Sequence, residues 1–513
     1  MPAHTKPAQS QDGPVREPSG GGARDVPLNH ALAEWAGGLS FADLPPDVVD
    51  YATSQVISHL GVIRAGLAHP LGQRLFRAYG PPTPGDPDRT AHLLAALSAC
   101  LYYEDSMYVG HVSHSSVNVP LADQRALRLD GRRLLTAVVA ANECAARVAA
   151  AAALGPLRGQ TATYVQLVGA VAARLHAAAA PVRRWVDAWG LALAAPPWPL
   201  RRAFVGSDAK VLSAAVPVRI ALDACAAAAA GVGGAPDILE HPDGFLAKFS
   251  AVPSPEVVLA GLGRRWHTQT LSFKVHPAGA YVDAAIDCAT ELYGRLRPGD
   301  LADVEEIVVS APRLTMVMDA EARPYLDRGR SSIMALNLSV GYNVATVLLN
   351  GDITPADLAE PACSDPERWA LAAKVRLAYE KGLSRSLLGA TAPLGEALRQ
   401  AGGRAHEWLA DFSGGRIPSG LAPSGPPSAT FERSTKMIGS QVEIVLRDGR
   451  RLVSSRAEAA GSAGPHTRRT HAAIARRKLL ATGASGATAD ALGRLPTLDA
   501  GELTEVVEAA LAF

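Results

Sequence analysis

Gln441-Val442-Glu443-Ile444-Val445-Leu446, then Arg447-Asp448-Gly449-Arg450, then Arg451-Leu452-Val453 reads as a β-hairpin about an Asp-Gly turn. This hairpin separates an α+β chain from an all-helical one. Working outward, Val304-Glu305-Glu306-Ile307-Val308-Val309-Ser310 has the β-branched content of a second strand region. Helical patterns lie between the strands, at Tyr281 to Leu296 and Tyr342 to Leu349. The stretch therefore predicts an α+β lobe, inserted into or following a helical one. Residues 413–430, rich in Ser, Gly and Pro, read as a flexible loop or lid edge.

The character changes near Trp266. From Leu28 to about Ala260 the pattern is helical. Leu44-Pro45-Pro46-Asp47 is a helix entry, followed by Val48, Tyr51, Ala52, Val56 and Leu60 at helical spacing. Ala91 to Tyr103 and Gly131 to Leu154 repeat that pattern. Glu143 and Arg147, four apart, can pair on one helix face, as a surface or interhelical ion pair. Leu212 to Ala230 is so rich in Ala that it predicts a buried helix, and Gly231-Val232-Gly233-Gly234 ends it. Helical patterns resume from about Thr470. The expected divisions are 1–26 as a disordered tail, 27–265 as a helical domain, 266–464 as the α+β domain, and 465–513 as the rest of the helical domain.

Length and composition narrow the function. A chain of 513 residues suggests several domain-sized units. Fifty basic residues balance forty-nine acidic ones, and aromatics are 5%. Neither a broadly basic nucleic-acid binder nor a base-stacking surface fits. The five cysteines (Cys100, Cys144, Cys225, Cys288, Cys363) lie far apart with no C-x-x-C pair, against a zinc, iron–sulfur or disulfide framework. They predict small apolar side chains in a reduced, cytoplasmic protein. No secretory leader pattern is visible, and Asn142, Glu143 and Arg147 interrupt the longest apolar stretch, so no membrane span is expected.

The densest polar cluster runs from Tyr102-Tyr103-Glu104-Asp105-Ser106 to His111-Val112-Ser113-His114-Ser115-Ser116. Acids, hydroxyls and two imidazoles on one loop suit acid–base work, although Asp and Ser also cap helices and loop histidines are often solvated. His111 and His114 could share a metal, but no third ligand is evident and no metal centre is expected. Lys210 and Lys274 sit in apolar surroundings, where burial would lower their pKa and suit them to a carboxylate or enolate; surface lysines that snorkel are the commoner case. Tyr342 could donate a proton or simply pack its ring. No G-x-S-x-G elbow, Walker sequence or H-E-x-x-H occurs.

Taken in order, these residues resemble the MmgE/PrpD family, which contains 2-methylcitrate dehydratase, cis-aconitate decarboxylase and iminodisuccinate epimerase. Glu104-Asp105-Ser106 ahead of His114 resembles the family's Asp-Asp-Thr motif leading to His-Pro. Lys210 with Leu212 resembles its Lys-x-Leu segment, and Ile238-Leu239-Glu240 with Gly244-Phe245 its continuation. Phe273-Lys274-Val275-His276-Pro277 resembles its Lys-x-Tyr/Phe-Pro segment, and Leu338-Ser339-Val340-Gly341-Tyr342 its Phe-Ser-Leu-Pro-Tyr segment. The resemblance spans most of residues 28–490.

It implies a large all-helical domain built from both ends of the chain, with a smaller α+β lid inserted and the active site in the cleft. It further implies a homodimer that needs no metal or organic cofactor and acts on a small carboxylate. His114, Lys210, Lys274 and Tyr342 are the implied catalytic groups, with Asp105 orienting the histidine. Gln160, Ser106, Tyr102, His111 and His276 are the implied substrate contacts. The chain departs from the family pattern at Gln160, near the place of a second histidine, at Tyr102 in place of an acid, and at Ser115 in place of Pro. The expected activity is a lyase or isomerase doing α-proton and enolate chemistry on a carboxylate, as a tailoring step in specialised metabolism. The alternative is a relative that has lost catalysis and serves as a binding or scaffold protein.

Overall fold

The computed structural model describes residues 26–108, 110–155, 163–412 and 425–511. Helices dominate, and four strands form one sheet. The long helix Gly131–Ala151 packs along Thr163–Ala177, and Lys210–Ala229 crosses Pro87–Ser98, Thr163–Ala177 and Val182–Ala192. Pro46–Ala68 opens with Pro at its first turn, where a missing N–H costs nothing. It lies against Pro465–Ala481, so the C-terminal helices return to the N-terminal core. One apolar core accordingly holds residues from Leu32 to Phe273 together with Leu479, Leu492, Leu503 and Val507 near the other end of the chain.

Gly131–Ala151 and Lys210–Ala229 are each long and apolar enough to cross a membrane. The first is wholly buried in this core. Within it Glu143 and Arg147 are fully buried, so their pair is an interior one. Glu143 also accepts from the backbone N–H groups of His267 and Thr268, which anchors the start of the α+β segment on the helix. The Ala-rich helix differs from expectation. It is Lys210–Ala229 and only partly buried, with Leu212 and Val216 exposed on one face.

The sheet has the order β2-β1-β3-β4, with β1 Val304–Ala311, β2 Val375–Tyr379, β3 Ser440–Leu446 and β4 Arg451–Arg456. β3 and β4 are the hairpin read from the sequence, and Gly449 (φ +86°) takes the left-handed turn position. β1 pairs antiparallel to β3, with Ile307 opposite Ile444. β2 is parallel to β1, and no sequence pattern had marked it. Alternate residues of β1 and β3 face a second core, filled from Asp283–Tyr293 and Val340–Asn350. The opposite face carries Glu306, Arg376, Glu443 and Arg451. Gly395–Ala401 and Phe431 join the helical core, while the sheet and its two helices form the other.

Candidate active site

The segment that follows Pro87–Ser98 makes the site. Its backbone reverses at Tyr102, a non-glycine residue in the left-handed region (φ +55°). Such a conformation persists only where the surroundings hold it. Asn337 Nδ2 donates to Leu101 O (3.1 Å), Lys274 Nζ to Tyr102 O (2.6 Å), and Lys478 Nζ to Tyr103 O (3.0 Å). Ser106 exchanges backbone hydrogen bonds with Ser272. The reversal turns Glu104 into the interior, where it is fully buried.

Three donors converge on Glu104 Oε1: Lys210 Nζ at 3.0 Å, His111 Nδ1 at 3.3 Å and His114 Nε2 at 3.3 Å. Burial pushes the Glu104 carboxyl up, but Lys210, Lys274 and His111 outweigh that and hold it well below the usual range. Burial drives both histidines down, His111 strongly, so both are neutral at pH 7. The neutral tautomers follow from their partners. Ser98 Oγ accepts from Asn118 Nδ2 (3.0 Å) and, 2.8 Å from His114 Nδ1, can donate its O–H to that nitrogen. A proton on Nε2 of His114 then points at the carboxylate. His111 Nδ1 lies near both Glu104 and Asp105 O (3.2 Å), so a proton there satisfies two acceptors. Nε2 of His111 is left as the basic nitrogen.

Two chambers meet at His111. The smaller is lined by Glu104, His111, His114, Gln166, Phe204 and Lys210. The larger lies between the helical core and the α+β segment, with Tyr102, Ser106, His111, Tyr164, Tyr281 and Lys436 in its wall. The Tyr102 ring carries Lys274 Nζ at 3.5 Å and Lys210 Nζ at 4.7 Å from its centroid. Burial pulls Lys274 down to about 8 against the pull of Glu104 and Asp283. Lys436 is likewise pulled to about 8 and Lys478 to about 7.

Of the residues singled out in the sequence, His111, His114, Lys210, Lys274, Tyr102 and Ser106 come together here. Three others do not. Asp105 points the other way, into the helical core, where Oδ2 accepts from Gln55 Nε2 (3.1 Å) and Oδ1 lies 3.8 Å from His59 Nδ1. The carboxylate that faces the histidines is its neighbour, Glu104. Tyr342 is fully buried, and its hydroxyl donates to Asp357 O and accepts from Arg368 (2.9 Å). The tyrosine in the cleft wall on that side is Tyr281. His276 has both ring nitrogens committed, to Asp287 (3.2 Å) and Asp352 (3.3 Å). Gln160 lies outside the described residues. Among the described residues no three His, Cys, Asp or Glu side chains are arranged to hold a metal ion.

Glu104, Tyr281, Lys436 and Lys478 were not among the expected site residues. One signal could have found the lysines. The fifty basic residues include only eight lysines, and Lys210, Lys274, Lys436 and Lys478 all converge on residues 99–106.

Residues 30–257 match the model of the MmgE/PrpD N-terminal domain, and residues 276–419 match that of the MmgE/PrpD C-terminal domain. No curated protein matches the chain.

Proposed function

The chain belongs to the MmgE/PrpD family, whose members are typically dehydratase-like lyases, and we propose that it moves a proton at the carbon next to a substrate carboxylate. The observation that carries this reading is the buried Glu104 carboxylate with Lys210, His111 and His114 all directed at one of its oxygens. Glu104 holds Nδ1–H of His111, as the acid of a triad holds its histidine, and so presents a basic Nε2 to the cleft. That nitrogen takes the α-proton. Lys210 and Lys274 stabilise the enolate that forms, because ammonium groups in a water-poor cleft favour the developing negative charge. Tyr281, whose hydroxyl burial keeps protonated, is the candidate acid for a leaving hydroxyl. His114 touches Glu104 through Nε2 and Ser98 through Nδ1, so it positions the carboxylate.

On this reading the enzyme is a lyase of the dehydratase or decarboxylase type, cytoplasmic, with a small carboxylate as its substrate. The side chains of the site supply base, acid and charge stabilisation without a metal or organic cofactor. The working form is a homodimer.

The test is proton NMR of the purified protein in deuterated water with citrate, 2-methylcitrate, cis-aconitate and iminodisuccinate. A lost α-proton signal or a new alkene signal is the expected result. Silence from the folded protein across the panel would count against proton chemistry on small acids of this kind.

A further inference from the structure

Among the described residues, Lys436 is a buried cation without a counterion. Its residue is 7% exposed, and its Nζ donates to one neutral acceptor, Ser106 Oγ, at 2.9 Å. No carboxylate among the described residues lies within ion-pair distance. Asp283 acts on it only through its longer-range field. An ammonium group has three N–H donors, so two of them lack a partner among the described residues. An unpaired charge in the interior is costly, and proteins ordinarily pair it or satisfy it with a ligand.

The position is built rather than incidental. The backbone N–H of Lys436 donates to Ala463 O, and its strand-like bridge to Ala392 fixes it from the other side. Both Lys436 and Ser106 line the larger chamber, together with Tyr102, His111 and Tyr281. Ser106 Oγ accepts from Lys436, which leaves its O–H free to donate. An ammonium group and a hydroxyl donor side by side suit one carboxylate, with charge-assisted hydrogen bonds from both. Glu104, His114 and Lys210 line the smaller chamber, and His111 is shared by the two.

We propose that Lys436 and Ser106 form a second anion subsite, which holds a substrate carboxylate other than the one beside the reacting carbon. A substrate with two acid groups then reaches from Lys210 and His111 in one chamber to Lys436 in the other. Lys436 selects for the second acid group. This inference rests on the carboxylate reading of the site given above.

Calorimetric titration of the full-length protein at pH 7 with succinate, citrate and butyrate separates the two ideas. Wild type should bind succinate or citrate about tenfold or more tighter than butyrate, the scale of one charge-assisted contact. Lys436→Met, close in shape and free of the buried charge, should lose that preference while its affinity for butyrate is unchanged. Ser106→Ala should reduce the preference. Lys210→Met should weaken all three acids. Wild-type preference retained in both Lys436→Met and Ser106→Ala, with Lys210→Met weakened, overturns the subsite and leaves the carboxylate reading standing. Failure of wild type to bind any of the three acids overturns both.

Discussion

Glu104 and Asp105 are neighbours in sequence with opposite environments, and backbone direction alone separates them. The positive φ at Tyr102 sets that direction, so the first acid faces Lys210 and two imidazoles while the second faces Gln55. No property of the string Glu-Asp-Ser says which acid faces the substrate. The lysines were more legible, since burial in apolar surroundings could be read around Lys210 and Lys274. Lys436 follows a polar run, Glu432-Arg433-Ser434-Thr435, and gave no such cue. Tyr342 shows the converse, a matching motif whose side chain serves packing through Arg368 and Asp357.

His276 gives a prediction at this scale. Burial lowers its pKa, but Asp287 and Asp352 raise it to about 9. That lies above the unfolded value of roughly 6.5. Its contribution to stability is therefore complete below about pH 6.5 and is lost as pH rises through about 9. His276→Asn should cost about 2 kcal/mol at pH 6 and little from this source at pH 9.5, as read by urea denaturation at the two pH values.

Among the elements, the β3–β4 hairpin, β1 and the major helices could be read from periodicity and turn residues. The strand β2 could not. Val375–Tyr379 is five residues long, is nowhere fully buried, and contains Arg376, so it lacks a clean alternation. It is a strand because it pairs with β1, a tertiary cause that local sequence does not carry. The partial exposure of Lys210–Ala229 was hidden for a similar reason. An Ala-rich helix has little contrast between its faces, and its neighbours decide which face is covered.

The segment that bears Lys274 depends on a close backbone approach. Gly461 has φ +78°, and a Cβ there would lie 1.9 Å from Phe273 O. Its carbonyl also accepts from Phe273 N (2.7 Å). Gly461→Ala should displace Phe273 and Lys274, lowering both melting temperature and kcat. Gly131→Ala is the control. Its Cβ would meet Leu495 O at 1.6 Å, away from the cleft. Both substitutions should destabilise by about 2–4 kcal/mol, and only the first should lower kcat in the fraction that remains folded.

For the whole molecule, one apolar core takes residues from near both ends of the chain, a second packs on the sheet, and Tyr281 and Lys436 stand in the wall of the cleft. Helical and α+β regions could both be read from the sequence. The exchange of Gly395–Ala401 and Phe431 into the helical core could not, because it depends on contacts far apart along the chain. Leu212 and Val216, one turn apart and exposed, lie on the helix that Lys210 begins. If this face closes the proposed homodimer, light scattering after gel filtration should give twice the 53.4 kDa chain mass, and Leu212→Glu with Val216→Glu should halve it.

The site's charges also set a pH profile. His111 and His114 are held below their usual pKa, so the base loses activity only well below pH 6.5. Lys274 and Lys436 lose their protons near 8, and with them their grip on a carboxylate. Measured kcat/KM, which reports groups of the free enzyme, should be flat near neutrality and fall above about pH 8. In Lys436→Met the fall should persist, because Lys274 remains.

The proposed role of Glu104 is to organise the proton transfer. Its most direct test is the rate of deuterium wash-in at the α-carbon of an accepted carboxylate, followed by NMR for wild type and Glu104→Gln. Glutamine keeps the shape but cannot hold the Nδ1 proton of His111 as a carboxylate does. Wash-in should slow by about a hundredfold or more, with the melting curve still cooperative. Exchange at the wild-type rate in Glu104→Gln would contradict the account.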